Sequence, residues 1–338
     1  MKKIIVLVLL LSLATGLSYA DEKGITLEEA YTILPETTLQ SELDDMNISQ
    51  LELALDEVLE LASANIYVYN AESEYNKFIT QTIKPFLAQA ELDRAMATKA
   101  SNIESQKLEL EKMFMEIHVQ EYEVEYLKKV LASAEDELDK GKVRFQLNQI
   151  SSYEVSKLEY DLSKVESDLY AAELNLKGQF DDLKVLLAIE PDMTIAIDYE
   201  LVLRTPPSEV KEDPTMTYLR AKLEAAQMTS DLSQSLFQPY ESEWSDDQLA
   251  LLLSQLSYEK YANSIIANEK NQYNTYLIQL NNYELSLKYL QLMQEQLLIS
   301  QQKADLSLIS EDALTAVEFA YEKAKLATLE NLVKVMAP

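Results

Sequence analysis

An all-α fold, built as two tandem repeats of long antiparallel coiled-coil hairpins, follows from three features of this sequence. The first is the scarcity of glycine. The chain has four glycines, and with Gly16 and Gly24 close to the N-terminus only Gly141 and Gly178 serve the remainder. Few turns can be made without residues that tolerate positive φ, so the elements must be long. The second is an apolar stripe at the alternating three-four spacing of a coiled coil. The third is a turn between two such stripes that occurs twice, 159 residues apart. Sandwiches and nucleotide-binding α/β folds demand more turns and more glycine.

Residues 1–20 read as a secretory signal. Lys2 and Lys3 supply the positive start, Ile4 to Leu13 the apolar run, and Ser18-Tyr19-Ala20 the small residues before a cleavage point. The run is shorter than the roughly 20 residues of a membrane span. Cleavage after Ala20 is expected; an uncleaved anchor is the alternative, disfavoured because no stop-transfer pattern follows. Cysteine is absent, which excludes a thiol-acylated anchor, disulfides and thiolate metal sites. The exported chain is strongly acidic, with 58 Asp and Glu against 29 Lys and Arg before Lys2 and Lys3 are removed. Such a surface repels phosphate backbones, so nucleic acid is not an expected partner. Most of these carboxylates belong on solvated helix faces, and some could line a lumen that attracts cations.

After an N-terminal segment over residues 21–47, the first helical repeat spans residues 48–188. Its stripe runs through Ile103, Leu110, Met113, Ile117, Val124, Leu127, Leu131, Ala134, Leu138 and Phe145, with lapses at Gln106, Gln120 and Gly141. A helix from about Ala88 to Leu147 would be roughly 90 Å long at 1.5 Å per residue. It can bury its stripe only against other rods. The stripe resumes at Val155, Leu158, Leu162, Val165, Leu169, Ala172 and Leu176, and Phe180 adds a stutter. Between the stripes, Asn148 suits the left-handed residue that closes a helix, and Ser151 with Glu154 forms a capping box opening the next.

A connector over residues 189–213 carries Pro206-Pro207 and the alternating Thr194-Ile195-Ala196-Ile197. Asp213 and Pro214 then supply an N-cap and first-turn proline for a second repeat, residues 214–338. Placing Ile309 on Ile150 aligns Arg144 with Lys303, Leu147 with Leu306 and Ser151 with Ser310. Pro85 and Pro239 sit in comparable places, and each is expected to end a helix. Each repeat thus reads as helix, proline turn, very long helix, tight turn, helix.

No nucleophile–base pair, metal-ligand cluster or phosphate loop is recognisable, so no enzyme, cofactor or metal is expected. His118, the single histidine, lacks convergent partners and reads as a packing or surface residue. Most of the 20 tyrosines read as amphipathic helix positions. Phe86, Phe237, Tyr240 and Trp244 gather near the two prolines; they close the hairpin ends or meet a membrane interface or partner.

Arg144-Phe145-Gln146-Leu147-Asn148-Gln149-Ile150-Ser151, followed by Val155 and Glu159, resembles the tip motif of the TolC-like outer membrane efflux proteins. In that family an arginine and an aromatic precede a valine-glycine-leucine turn. Lys303-Ala304-Asp305-Leu306-Ser307-Leu308-Ile309-Ser310 resembles the second copy, without the aromatic. Ile25-Thr26-Leu27-Glu28-Glu29-Ala30 is similar to the start many members share, and Leu183-Lys184 through Ala188 to the end of their first half. The resemblance implies a homo-trimer whose long helices form a tunnel, capped by an outer-membrane β-barrel. It also implies tips that meet a periplasmic adaptor of an inner-membrane pump. Leu147, Asn148, Gln149, Leu306, Ser307 and Leu308 are the tip residues so implicated.

Three departures stand against that pattern. Neither Phe86–Leu92 nor Tyr240–Asp247 has the alternating apolar residues of a lipid-facing strand pair, so the barrel is expected to be missing. Ser307 is a poorer fit than Asn148 to a left-handed turn and suggests a different turn there. The aspartates that form a constricting ring in members fall on Ala313 and Ala316. The resulting expectation is an efflux-type export component of the outer membrane or periplasmic face of the envelope, touching membrane only peripherally or through a partner. The alternative is a structural coiled-coil envelope protein without a channel.

Overall fold

The computed structural model describes residues 25–190, 193, 195–198, 213–239 and 241–336. The expected signal, Tyr240 and most of the connector, including Pro206-Pro207, lie outside the described residues. A two-residue strand β1 (Ile25–Thr26) leads into helix α1 (Leu27–Thr37), then α2 (Leu39–Ser63), α3 (Ala71–Phe78) and a π-helical turn over Ile79–Ile83. The long helix α4 (Lys84–Gln146) and α5 (Ser152–Leu186) follow, then strand β2 (Ile197–Asp198). The chain continues through α6 (Pro214–Leu236), the second long helix α7 (Ser242–Asp305) and α8 (Glu311–Met336). Among the described residues β1 and β2 are the only strands, paired in parallel with Ile25 opposite Ile197 and Thr26 opposite Asp198. The fold is all-α, with long helical hairpins and no barrel strands among these residues.

Two expectations need correction. The helix expected from Ile48 begins at Leu39, where Thr38 accepts a hydrogen bond from the Ser41 N–H as its N-cap. Pro85 does not end a helix. The first hairpin turns earlier, at 64–70, and the chain is then helical from Ala71 to Gln146. Proline is tolerated because the π turn stands immediately before it: the Lys84 N–H reaches back five residues to the Ile79 carbonyl. That wider turn moves the preceding carbonyls away from the ring and asks nothing of the missing N–H. At Pro239 the turn expected from the sequence is present, between Phe237, the C-cap of α6, and Ser242.

The described residues form two compact units that cut across the sequence halves. The first draws on the described residues within 25–37, 107–198 and 276–336. Its core gathers around the middle of α4. Leu110, Phe114 and Ile117 are fully buried on one side, against Ala30 and Leu34 of α1 and Leu183 and Leu187 at the end of α5. Met115 and Val119 face the other way, onto Leu326 and Val333 of α8. Two apolar faces on one stretch of helix mean that α4 is covered from both sides there, which a single coiled-coil stripe does not convey. Each fully buried side chain of this size contributes about 1.5–3 kcal/mol.

The second unit draws on the described residues within 38–106 and 213–275. Along α2 and α4 polar pairs accompany the packing: Asn102 Nδ2 donates to Asp44 Oδ2 at 2.9 Å, and Lys99 pairs with Asp45. Between α4 and α6, the Tyr218 hydroxyl donates to Glu91 at 3.1 Å while the Arg94 guanidinium lies 4.5 Å above the Tyr218 ring. Burial, followed by the Glu91 hydrogen bond, raises the Tyr218 hydroxyl above its ordinary value. On α6 the buried positions Ala225, Ser230 and Ser233 are small, which lets a neighbouring helix approach closely.

The two helical glycines differ in surroundings, and this sets a prediction. A Cβ on Gly178 would meet nothing within 4 Å, whereas one on Gly141 would press on the Leu158 side chain. Gly178→Ala should therefore stabilise by about 0.5–1 kcal/mol through helix propensity. Gly141→Ala should gain less than half of that, because Leu158 must leave its rotamer. Thermal unfolding followed by circular dichroism checks the difference.

Candidate functional site

A helix end leaves its last carbonyls without partners, and how they are satisfied decides where the chain points next. At the first tip Asn148 has φ 57°. The Gln149 N–H donates to the Arg144 carbonyl at 2.8 Å and the Asn148 N–H to the Phe145 carbonyl at 2.9 Å. These six-to-one and five-to-two bonds make a Schellman closure. The second tip repeats it: Ser307 has φ 55°, Leu308 N–H donates to the Lys303 carbonyl at 2.7 Å and Ser307 N–H to the Ala304 carbonyl at 2.8 Å. The different turn expected at Ser307 is thus corrected. The two Schellman bonds stabilise the closure enough to hold serine in a region it enters reluctantly.

Each tip is followed at once by a helix start. Ser151 and Glu154 form the expected capping box, and the Ser151 N–H with its hydroxyl holds the Glu154 carboxyl below its ordinary value. In the second copy Ser310 accepts from the Ala313 N–H at 3.2 Å, with alanine where the glutamate would close the box. Both tips present leucine to solvent: Leu147 is 62% and Leu306 70% exposed, with Leu308 alongside. Asn148, Gln149 and Ser307 are also exposed. Ala313 and Ala316 are exposed on the first turns of α8.

The other candidates separate. Phe86 lies on α4 rather than at a turn, beside a 360 Å³ pocket it shares with Ala90, Arg94, Pro214 and Tyr218. Phe237 and Trp244 do flank the second turn, both half-buried. The Tyr75 ring of α3 packs edge-on to Phe237 at 5.5 Å, and its hydroxyl donates to Asp247 Oδ1 at 2.9 Å. Burial first, then that bond and the nearby Asp247, Glu243 and Asp246 charges, raise the Tyr75 hydroxyl well above its ordinary value.

His118 of α4 stands near Lys325 of α8, within a polar cluster. There the Tyr122 hydroxyl donates to Glu322, Lys129 lies 3.5 Å from Glu322, and Lys325 sits 4.6 Å from the Tyr122 ring. Burial, then the Lys325 charge, lower the His118 value from 6.5. Among the described residues no group of three or more acidic or histidine side chains is arranged to hold a metal, and no helix is long and apolar enough to cross a membrane.

Two features escaped the sequence reading. One is the turn at 64–70, whose signal was an uncharged run ending in Asn70, three residues before Ser73, a capping box that the structure contains. The other is that α7 has no buried residue along its 64 positions. Leu285, Leu292, Ile299 and, just beyond its end, Leu306 recur every seven residues and all are exposed. Its heptad spacing was visible; that nothing in the chain covers it was not.

No protein-family model and no curated protein matches the sequence. Solved structures do. The outer membrane protein VceC of Vibrio cholerae superposes with a TM-score of 0.64 at 10% identity, over 92% of this chain and 93% of that one. CusC, described in terms of folding and transmembrane channel formation, gives 0.67 at 8% identity over 95% and 94%. The MtrE outer membrane channel of Neisseria gonorrhoeae gives 0.60 at 12% identity over 92% and 88%. The chain is therefore TolC-like in fold.

Two predictions follow from the tips and the histidine. Ser307→Gly should stabilise by about 1 kcal/mol and Asn148→Gly by less, since asparagine enters the left-handed region more readily; chemical denaturation measures both. His118 should be neutral at pH 7 and titrate below 6.5 in an NMR titration. Its contribution to stability is present above 6.5 and is lost as pH falls through the lowered value. Lys325→Gln should move that titration only part of the way back, because burial is the larger cause and remains.

Proposed function

We propose that this protein is an export component of the cell envelope, in which several copies, three by analogy with the TolC-like resemblance, assemble their long helices into a conduit. One observation carries the reading: α7 exposes a heptad stripe of leucine and isoleucine with no cover of its own. Such a stripe in water is a helix–helix interface awaiting its partner. α2 adds a second, through Leu39, Leu43, Met46 and Leu53, all exposed at three-four or seven-residue spacing. Two uncovered stripes on one chain permit a ring in which each copy meets two neighbours.

On this reading the exposed leucines of the two tips meet a periplasmic adaptor serving an inner-membrane pump, and the location is the outer membrane or its periplasmic face. Similarity to outer membrane channels supports the reading at the level of fold. The lack of barrel strands among the described residues favours a second reading: an envelope protein that keeps the helical assembly and forms no channel.

Mass in solution tests the assembly. The exported chain should sediment at about three times its monomer mass, and Leu285→Glu with Leu292→Glu should return it to the monomer, since two buried charges without partners cost several kcal/mol per contact. A monomeric parent chain would end the conduit reading. A trimer without conductance in planar bilayers, and without an export defect on deletion, would leave the structural reading.

A further inference from the structure

Every long exposed apolar stripe described above follows a helical period, so a partner helix can read it. One exposed apolar segment does not. Between α2 and α3 the chain runs Asn65-Ile66-Tyr67-Val68-Tyr69, with Tyr67 79% and Tyr69 84% exposed and Val68 exposed between them. From Leu61 to Ala71 no residue is charged, in a chain whose charged fraction is 26%.

This segment is held rather than frayed. At its start the Ala64 carbonyl accepts from Gln81 Nε2 at 2.9 Å. At its end the Tyr69 and Asn70 N–H groups both donate to Ser73 Oγ, at 2.8 and 2.9 Å, and Asn70 Oδ1 accepts from the Ser73 N–H. The backbone is extended at both ends, at Ala64 and at Asn70. The fold therefore presents two tyrosines on a braced support with nothing packed over them, which costs solvation unless something else covers them.

The chemistry of the cover can be read from the segment and its rim. Tyrosine, with an apolar ring and a hydroxyl at its end, favours the boundary between water and lipid. The rim is acidic: Glu60 and Glu72 border the segment. The Tyr75 contacts with Phe237 and Asp247 bring the second turn, with Glu243 and Asp246, to the same end of this unit. An acidic rim is repelled by anionic lipid and tolerates neutral headgroups. We propose that the Tyr67-Val68-Tyr69 segment is an interfacial anchor that seats this end of the second unit on a zwitterionic bilayer without crossing it. The anchor rests on one chain's geometry and stands whether or not the conduit assembles.

Flotation of the purified exported chain with phosphatidylcholine vesicles tests it. The parent should float, and Tyr67→Ser with Tyr69→Ser should bind about tenfold more weakly while keeping its helical circular dichroism. Replacing half of the lipid by phosphatidylglycerol should weaken the parent too. A probe independent of that variant is Tyr67→Trp in a Trp244→Phe background, which moves the chain's one tryptophan into the segment. Its emission should shift to the blue on adding phosphatidylcholine vesicles. A parent that does not float, a serine variant that floats equally well, stronger binding to the anionic mixture, or an unmoved tryptophan emission would each overturn the anchor. So would a serine variant whose only change is its mass in solution, since the segment would then be a contact between copies.

Discussion

The fold depends on the burial of one short stretch of α4. Leu110, Phe114 and Ile117 face α1 and the end of α5, while Met115 and Val119 face α8. These residues lie within ten positions of one helix, so three separate parts of the chain are tied to the same few turns. Removing Phe114 would expose apolar surface on α1 and α5 together, a loss typically of about 3–5 kcal/mol for a core aromatic. The small β1–β2 pair belongs to the same region: Ile25 is buried there, with Ile195 and Ile197 packed alongside.

Away from that region the helices are held more thinly. Toward the first tip, α4 meets α5 where Gly141 faces Leu158, and meets α8 through the exposed Lys140–Asp312 pair. Exposed ion pairs of this kind contribute little each. The tips themselves are defined by backbone hydrogen bonds rather than by side-chain packing, which is why the closure forms on serine as well as on asparagine, though serine is the less suited of the two. Ala188, at the end of α5, shows the same closure a third time, with φ 51° and the Ile189 N–H bonded to the Lys184 carbonyl at 2.8 Å. Three non-glycine residues in this conformation fit a chain that has almost no glycine to place there.

The contrast between α4 and α7 links packing to function. Both are long, and both carry apolar residues at coiled-coil spacing. α4 buries apolar residues within its own chain; α7 only half-buries one face, at Tyr283, Leu290 and Leu297, and leaves the stripe of Leu285, Leu292 and Ile299 bare. A helix of that size with a bare apolar stripe is an unfinished interface, and the proposed assembly is its completion. The aromatic segment between α2 and α3 is bare for another reason, since its residues follow no helical repeat that a second rod could match.

Much of this was determined by the residues alone. Scarce glycine, heptad stripes, the Ser151–Glu154 box and the Asp213-Pro214 start required long helices and placed the tip at Asn148 and the start of α6, because capping and periodicity are local and act within a few residues. Tertiary structure decided the rest. Pro85 stayed helical because a π turn absorbed it, and the hairpin turned at 64–70 instead, where the Asn70–Ser73 capping box opens the next helix and α2 packs against that π turn. Ser307 took a left-handed φ because two backbone bonds held it there. Which stripe was covered could not be read from spacing, since a heptad pattern is the same whether its partner lies within the chain or in another copy; only the buried faces of α4 and the bare face of α7 distinguish the two.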